Sequence, residues 1–213
     1  MNSPLSLYLA SKSPRRREIL LQLGFSPIVV ASNAHTLRNF QGDEVQLPGE
    51  SPQDYVVRIA KEKALIAFEK LRRENQPVLP LLSADTTVII DDLILGKPDD
   101  ESQAKAFLRR LSGRSHEVRT AVCVGTEPDN LKLAVSVSKV RFKTLSEDEI
   151  SAYVRLAEPY DKAGGYGIQG LAGAFICDIQ GSYSGIMGLP VFETCELLKS
   201  FGLDLFTGES PLK

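Results

Sequence analysis

The string Ser11-Lys12-Ser13-Pro14-Arg15-Arg16 sets two hydroxyls, a lysine and two of three consecutive arginines between an apolar run at 5–10 and a helical pattern. Ser13 is a natural N-cap, and Pro14 suits the first helical position, where its missing N–H costs nothing. Ile19, Leu20 and Leu23 form an apolar stripe, and Gly24 closes the helix as a left-handed cap. Arg15, Arg16 and Arg17 oppose the positive end of the helix dipole. Amides, hydroxyls and guanidinium groups gathered at one helix start suit a phosphate, so the ligand is expected to be a phosphorylated anion. Solvated arginines, a kinase target and a minor-groove contact remain open on the tetrapeptide alone. A strand before it and a helix after it favour phosphate.

Two further residues stand where burial alone would not put them. At about 100° per residue, the helix expected over 51–74 has an apolar arc through Ile66, Ile59, Val56, Ala67, Ala60 and Leu71. Lys63 falls inside that arc. Either its stem snorkels or its ammonium points into a cleft toward an anion. Asp85 interrupts an apolar run at an expected strand end. A buried carboxylate needs a partner, a metal or a raised pKa, and strand-end carboxylates in α/β proteins line the ligand crevice. A simple turn or helix cap is the alternative.

Residues 161–170 contain Gly165-x-Gly167-x-x-Gly170, formally a dinucleotide fingerprint. It follows a helix and precedes a strand, the reverse of the required context. The glycines are instead expected to admit a flat ligand, with Asp161, Lys162 and Gln169 available to a base. Walker A, G-x-S-x-G and H-E-x-x-H strings are absent.

Alternating patterns predict an α/β chain. Strands are expected at 5–10, 27–31, 78–82, 88–90, 93–95, 117–125, 131–142 and 174–179. The stretch 83–87 is read as a break, and Asp91-Asp92 as a turn. Helices are expected from 14, over 51–74 behind the capping box Ser51-Pro52-Gln53-Asp54, and over 101–111. Two more are expected from Ser146 to about 157 and over 190–201. The polar stretch 32–50 reads as a loop. One domain over 1–213 is expected, with a frayed tail after about 206.

The chain has 213 residues, is 43% hydrophobic and carries a net charge of −2. That is enough for a core split into two lobes, and it is not the basic balance of a nucleic-acid binder. Cys123, Cys177 and Cys195 are read as buried small hydrophobes of a reducing compartment. His116 is read as structural or solvent-facing at a strand entrance. Nothing is long enough to span a bilayer, so a soluble cytoplasmic protein is expected.

The ordered set Leu9-Ala10-Ser11-Lys12-Ser13-Pro14-Arg15-Arg16, Ala84-Asp85-Thr86, Gly96-Lys97-Pro98, Leu111-Ser112-Gly113, Asp161-Lys162-Ala163-Gly164 and Ile168-Gln169-Gly170 resembles the Maf family of nucleoside triphosphate pyrophosphatases. Gly181-Ser182-Tyr183 and Gly188-Leu189-Pro190 continue the match. Tyr166 and the run 167–170 resemble the branch acting on dTTP and UTP. The resemblance implies a Maf-like, ITPase-like α/β fold, with a mixed twisted sheet flanked by helices and two lobes around a nucleotide cleft. It implies Asp85 as general base or metal ligand, with Lys63 and Lys97 beside it. Arg15, Thr86 and Gln169 are implied at positions of substrate choice, and Ser11, Ser13, Arg16 and Lys162 facing the triphosphate with both lysines. Measured back from Pro48 and Ser51, Asp43-Glu44 stands where the family has an acid, so Glu44 is matched as a second metal residue on a longer loop. A divalent ion (Mg²⁺ or Mn²⁺) and a homodimer are likewise implied. A non-catalytic nucleotide-binding regulator of cell division is the alternative, and a dinucleotide oxidoreductase rests only on the misplaced glycines.

Overall fold

The computed structural model describes residues 5–30 and 46–207. Leu5–Ala10 (β1) and Phe25–Val29 (β2) are parallel, joined through Pro14–Gln22 (α1). Ser13 does occupy the N-cap of α1, but its side chain makes no capping bond. Its backbone N–H instead donates to Ser11 Oγ at 3.2 Å, so the Ser11 hydroxyl braces the loop before the helix. Gly24 takes φ 88°, the left-handed stop expected of it.

Pro52–Arg73 (α2) begins at Ser51, whose Oγ accepts from Asp54 N–H at 3.1 Å. Its buried face runs through Val56, Ile59, Ala60, Ala64, Ala67 and Phe68. Leu81–Ile90 (β3) is one continuous strand, which corrects the break expected at 83–87 and the start expected at 78. The interruption is only apparent because its polar groups are satisfied in place. Ser83 Oγ donates to the Ala60 carbonyl at 2.7 Å, and β3 pairs with Ser115–Gly125 (β5) without a gap from Leu81 to Ile89. Val78, by contrast, is exposed.

Leu93–Leu95 (β4) returns antiparallel on Val88–Ile90 through Asp91 and Asp92, which take φ 53° and 58°. Positive φ at both central residues is the signature of the tight hairpin turn. Glu101–Leu111 (α3) matches its expected bounds, capped by Asp100, whose carboxylate accepts from Gln103 N–H. Leu131–Phe142 (β6) follows β5, and Glu147–Tyr153 (α4) opens with a reciprocal Ser146/Glu149 capping box. α4 stops at Tyr153, short of 157. Three 3₁₀ turns follow, at Glu158–Asp161, Ala163–Gly165 and Leu171–Phe175. Ile176–Gln180 (β7), Tyr183–Met187 (α5) and Val191–Lys199 (α6) complete the described chain. α5 has no counterpart in the sequence expectations, being too short to carry a period. The expected tail lies largely beyond the described residues.

The sheet order is β2-β1-β3-β5-β6-β7, with β4 on β3. β1 is parallel to β2 and β3, and all other pairs are antiparallel, so the sheet is mixed. One edge of β3 is shared by two short partners: β1 meets it at 81–83, and β4 meets it at 88–90. Residues 84–87 have no strand on that edge. Apolar cores lie at both ends of this gap. Leu82 and Ala84 pack with Leu7, Leu9, Ile19, Leu20 and Leu198. Val88 and Ile90 pack with Leu108, Leu111, Phe142 and Ile150. The α/β fold with two lobes and a cleft is therefore built along one ladder, β3–β5.

Two expectations need correction here. Only Cys123 is buried; Cys195 is half-buried, and Cys177 is exposed because β7 is an edge strand with little packed over it. His116 is structural but not solvent-facing. It lies inside β5 with Nε2 2.6 Å from the Tyr166 hydroxyl. No described helix is long and apolar enough to cross a membrane.

Candidate active site

The unpartnered edge of β3 opens into a cavity of about 730 Å³. The loop after β1 forms one wall, α2 a second, the residues after β4 a third, and the stretch 158–170 a fourth. Ser11, Ser13, Arg15, Arg16, Lys63, Asp85, Thr86, Lys97, Lys162 and Gln169 all line it. Glu44 lies outside the described residues. Six basic and three acidic side chains face this space in a chain of net charge −2. The cavity therefore concentrates positive charge, which suits a polyanion.

Asp85 sits in the middle of β3 opposite Ala121, not at a strand end. The crevice logic still applies, through the neighbouring strand: β1 ends at Ala10, level with Ser83, so Asp85 stands two residues past it. The carboxylate is nearly buried, at 5% exposure, and accepts from Lys63 Nζ at 2.6 Å through Oδ1. Thr87 Oγ1 donates to Oδ2 over a longer 3.3 Å. Lys63 reaches this carboxylate from the apolar face of α2, which explains its place within the arc. Its ammonium meets the Asp85 carboxylate at the cavity wall.

The three arginines of α1 have separate fates. Arg17 is exposed. Arg15 lines the cavity and is loosely paired with Asp161, 3.7 Å away. Arg16 turns inward and is 8% exposed. Its Nε donates to the Gly188 carbonyl at 2.8 Å, Nη1 to Ser11 Oγ at 3.1 Å and Nη2 to Thr86 Oγ1 at 3.1 Å. It thereby ties the loop after β1 to β3 and to the C-terminal end of α5. Thr86 Oγ1 is also 2.9 Å from Thr120 Oγ1, which donates to the Gly185 carbonyl at 2.8 Å. With that proton committed, Thr86 donates to Thr120 and accepts from Arg16, which fixes its rotor.

Lys97 is exposed and forms no ion pair among the described residues. Lys162 Nζ donates to the Glu158 carbonyl at 2.9 Å and to the Asp161 carboxylate. Partial burial raises the Asp161 carboxyl, but Lys162 and then Arg15 outweigh it and hold it below the usual carboxylate range. Gln169 is exposed at the cavity wall.

The glycines of 161–170 serve the chain's own side chains before any ligand. A Cβ at Gly167 would lie 2.8 Å from Lys162 Cδ, and one at Gly170 would lie 2.2 Å from Glu158 Oε1. Glu158 was not among the residues singled out from sequence, nor was Thr120, and Gly188 was named only within a matched motif. Each acts through a partner distant in the chain or on an irregular turn, so no periodicity marks it. The one available signal for Glu158 was an acid directly before Pro159 in a cavity-forming string.

Among the described residues no group of three or more His, Cys, Asp or Glu side chains could hold a metal ion. The buried carboxylate of the cavity among the described residues is that of Asp85, with half-buried Glu158 and exposed Asp161 also on its wall. Hard oxygen donors of this kind fit Mg²⁺ or Mn²⁺ shared with substrate phosphates, rather than a cage made wholly of protein.

A family model described as Maf-like protein matches residues 6–201. The chain is 53% identical over 203 residues to the dTTP/UTP pyrophosphatase of Bordetella avium (strain 197N), covering 93% of this chain and 96% of that protein. It is 50% identical over 203 residues to the dTTP/UTP pyrophosphatase of Pasteurella multocida (strain Pm70), covering 93% and 97%. Among solved structures, a HAM1 protein from Coxiella burnetii aligns at 16% identity and TM-score 0.44, over 65% of this chain and 73% of that one.

Proposed function

We propose that this chain, which belongs to the Maf family, is a nucleoside triphosphate pyrophosphatase that hydrolyses dTTP and UTP to the monophosphate and pyrophosphate. The observation that carries the reading is a near-buried carboxylate, Asp85, held by Lys63 inside a cavity where basic side chains outnumber acidic ones. Binding a polyanion needs the cations. It does not need an acid among them, which is why the regulator alternative gains nothing from this site.

Cleavage between the α- and β-phosphates transfers a nucleotidyl group to water. Water attacks the α-phosphorus, the bond from that phosphorus to the oxygen bridging to the β-phosphate breaks, and pyrophosphate leaves with the bridging oxygen. Asp85 takes the proton of the attacking water at Oδ2, while Lys63 holds Oδ1 and so aims the carboxylate. Lys97, Lys162 and Arg15, with the Ser11 and Ser13 hydroxyls, bind the triphosphate and stabilise charge that grows on its oxygens. Arg16 acts one step back, by positioning Ser11 and Thr86. Asp85, together with phosphate oxygens and with Glu44 as a second carboxylate, would hold a divalent ion that neutralises phosphoryl charge when bound. Arg15, Thr86 and Gln169 select the nucleotide. The same pocket would take modified pyrimidine nucleotides, a role in clearing nucleotide pools. A homodimer in the cytoplasm, with no nucleic-acid or membrane partner, completes the proposal.

The test measures pyrophosphate against orthophosphate released from a panel of nucleoside triphosphates with Mg²⁺ or Mn²⁺. Pyrophosphate from dTTP and UTP is expected. Asp85→Asn should lower kcat by about 10²- to 10⁴-fold, the contribution of a positioned base, without changing the circular-dichroism spectrum. A variant turning over at the native rate would remove Asp85 from the mechanism, and release of orthophosphate alone would overturn the reaction class.

A further inference from the structure

One carboxylate that the proposed reaction does not use lies directly beneath the turn that carries Gln169. Glu158 begins the 3₁₀ turn after α4. Its Oε1 accepts from the Tyr153 hydroxyl at 3.0 Å and from Ala172 N–H at 3.3 Å, and its Oε2 accepts from Leu171 N–H at 2.9 Å. The two amides open the 3₁₀ turn at 171–175, where a negative charge is favoured. Burial first, and then the Glu158 charge, push the Tyr153 phenol far above its usual range, so it remains a donor.

The fit is steric as well as polar. Gly170 leaves the space that the carboxylate fills: a Cβ there would lie 2.2 Å from Oε1 and 2.4 Å from Cδ. On the other side of Gln169, Gly170 N–H donates to the Gly167 carbonyl at 3.0 Å and closes a tight turn. Lys162 fills the space beside Gly167 while its ammonium returns to the Glu158 carbonyl. Ile168 and Ala172 anchor the turn in the core, whereas Gln169 is exposed and Leu171 is 65% exposed. Between those two anchors the position of Gln169 depends on polar contacts that converge on Glu158.

We propose that Glu158 is a positioning residue that sets Gln169 at the cavity wall and thereby sets discrimination between nucleobases. The proposal rests on the reading of this cavity as a nucleoside triphosphate site. Its measure is the ratio of kcat/KM for UTP over GTP, with the matching ratio of nucleotide Kd values and amide exchange at Leu171 and Ala172. Glu158→Ala should lower the UTP preference by about tenfold, the factor carried by one neutral hydrogen bond, and chiefly through KM. Gln169→Ala should do the same, and the double variant should lose no more than either alone. Gly170→Ala should reproduce the defect in the native chain and add little once Glu158 is alanine, because the clash is gone. Glu158→Gln, which keeps one acceptor oxygen and the side-chain volume, should recover part of the preference. An unchanged UTP preference in Glu158→Ala, or losses additive with Gln169→Ala, would overturn the proposal. If the native chain releases no pyrophosphate, the functional reading fails separately, and the Kd ratio with amide exchange at Leu171 and Ala172 still decides this one.

Discussion

Arg16→Met separates two jobs that adjacent arginines could share. The guanidinium donates to a buried carbonyl at Gly188 and to half-buried hydroxyls at Ser11 and Thr86. Methionine replaces most of the stem volume, so the loss is chiefly polar. An orphaned buried carbonyl costs about 1–3 kcal/mol, and two hydroxyls that water can reach cost less, about 0.5–1 kcal/mol each. The sum is about 3 kcal/mol, a large part of the ~5–15 kcal/mol that holds a domain folded. Arg15→Met is the control. Its ion-pair partner among the described residues, Asp161, is 3.7 Å away with a side chain 64% exposed, so under about 1 kcal/mol is at stake. The chain has no Trp, so urea unfolding should be followed by far-ultraviolet circular dichroism. Arg16→Met should move the midpoint strongly, and Arg15→Met should raise KM while leaving the midpoint in place. Arg16→Lys should not restore stability, since one ammonium cannot span a three-way fork. A native midpoint in Arg16→Met, with a defect confined to KM, would refute this reasoning and return Arg16 to the phosphates.

Two further outcomes follow from groups outside the cavity. Burial lowers the His116 pKa from 6.5 to about 4, so the unfolded chain takes up the proton first and stability falls as the pH drops from 6.5 toward 4. The full effect is about 3 kcal/mol, and the slope of unfolding free energy against pH should flatten by up to about 1.4 kcal/mol per unit in His116→Gln; an unchanged slope would exclude this group. Asp92 holds φ 58° in the turn between β3 and β4, whereas its neighbour Asp91 engages Arg110 and Arg114. Asp92→Gly should therefore raise the urea midpoint, by about 0.5–1 kcal/mol of relieved left-handed strain, and Asp91→Gly should not.

What could be read from the chain alone was local. Ser51 and Ser146 mark helix starts because a cap acts within three residues, and Asp91-Asp92 marks a turn because two residues make it. Lys63 could be singled out because it breaks a period. The inward tie made by Arg16, and Thr120 and Glu158 altogether, could not, because their partners are 172, 65 and 14 residues away. The polar run 83–87 was misread as a break for a related reason. Ser83 is satisfied by α2, Asp85 by Lys63 and Thr86 by Arg16, all from outside the strand.

That misreading points to why the site is where it is. A strand can carry Asp85 at mid-length only if nothing covers its edge there, and β1 would cover it if it ran two residues further. Pro14 has no N–H to continue a ladder and its fixed φ suits a first helical turn, so α1 begins there, four residues past the end of β1. The residues that bring hydroxyls and arginines toward the cavity are thus the ones that follow directly on β1. Binding groups and a cavity-facing carboxylate arise together from one strand's early stop, and lengthening β1 would close the cleft while keeping every side chain nominated for its chemistry.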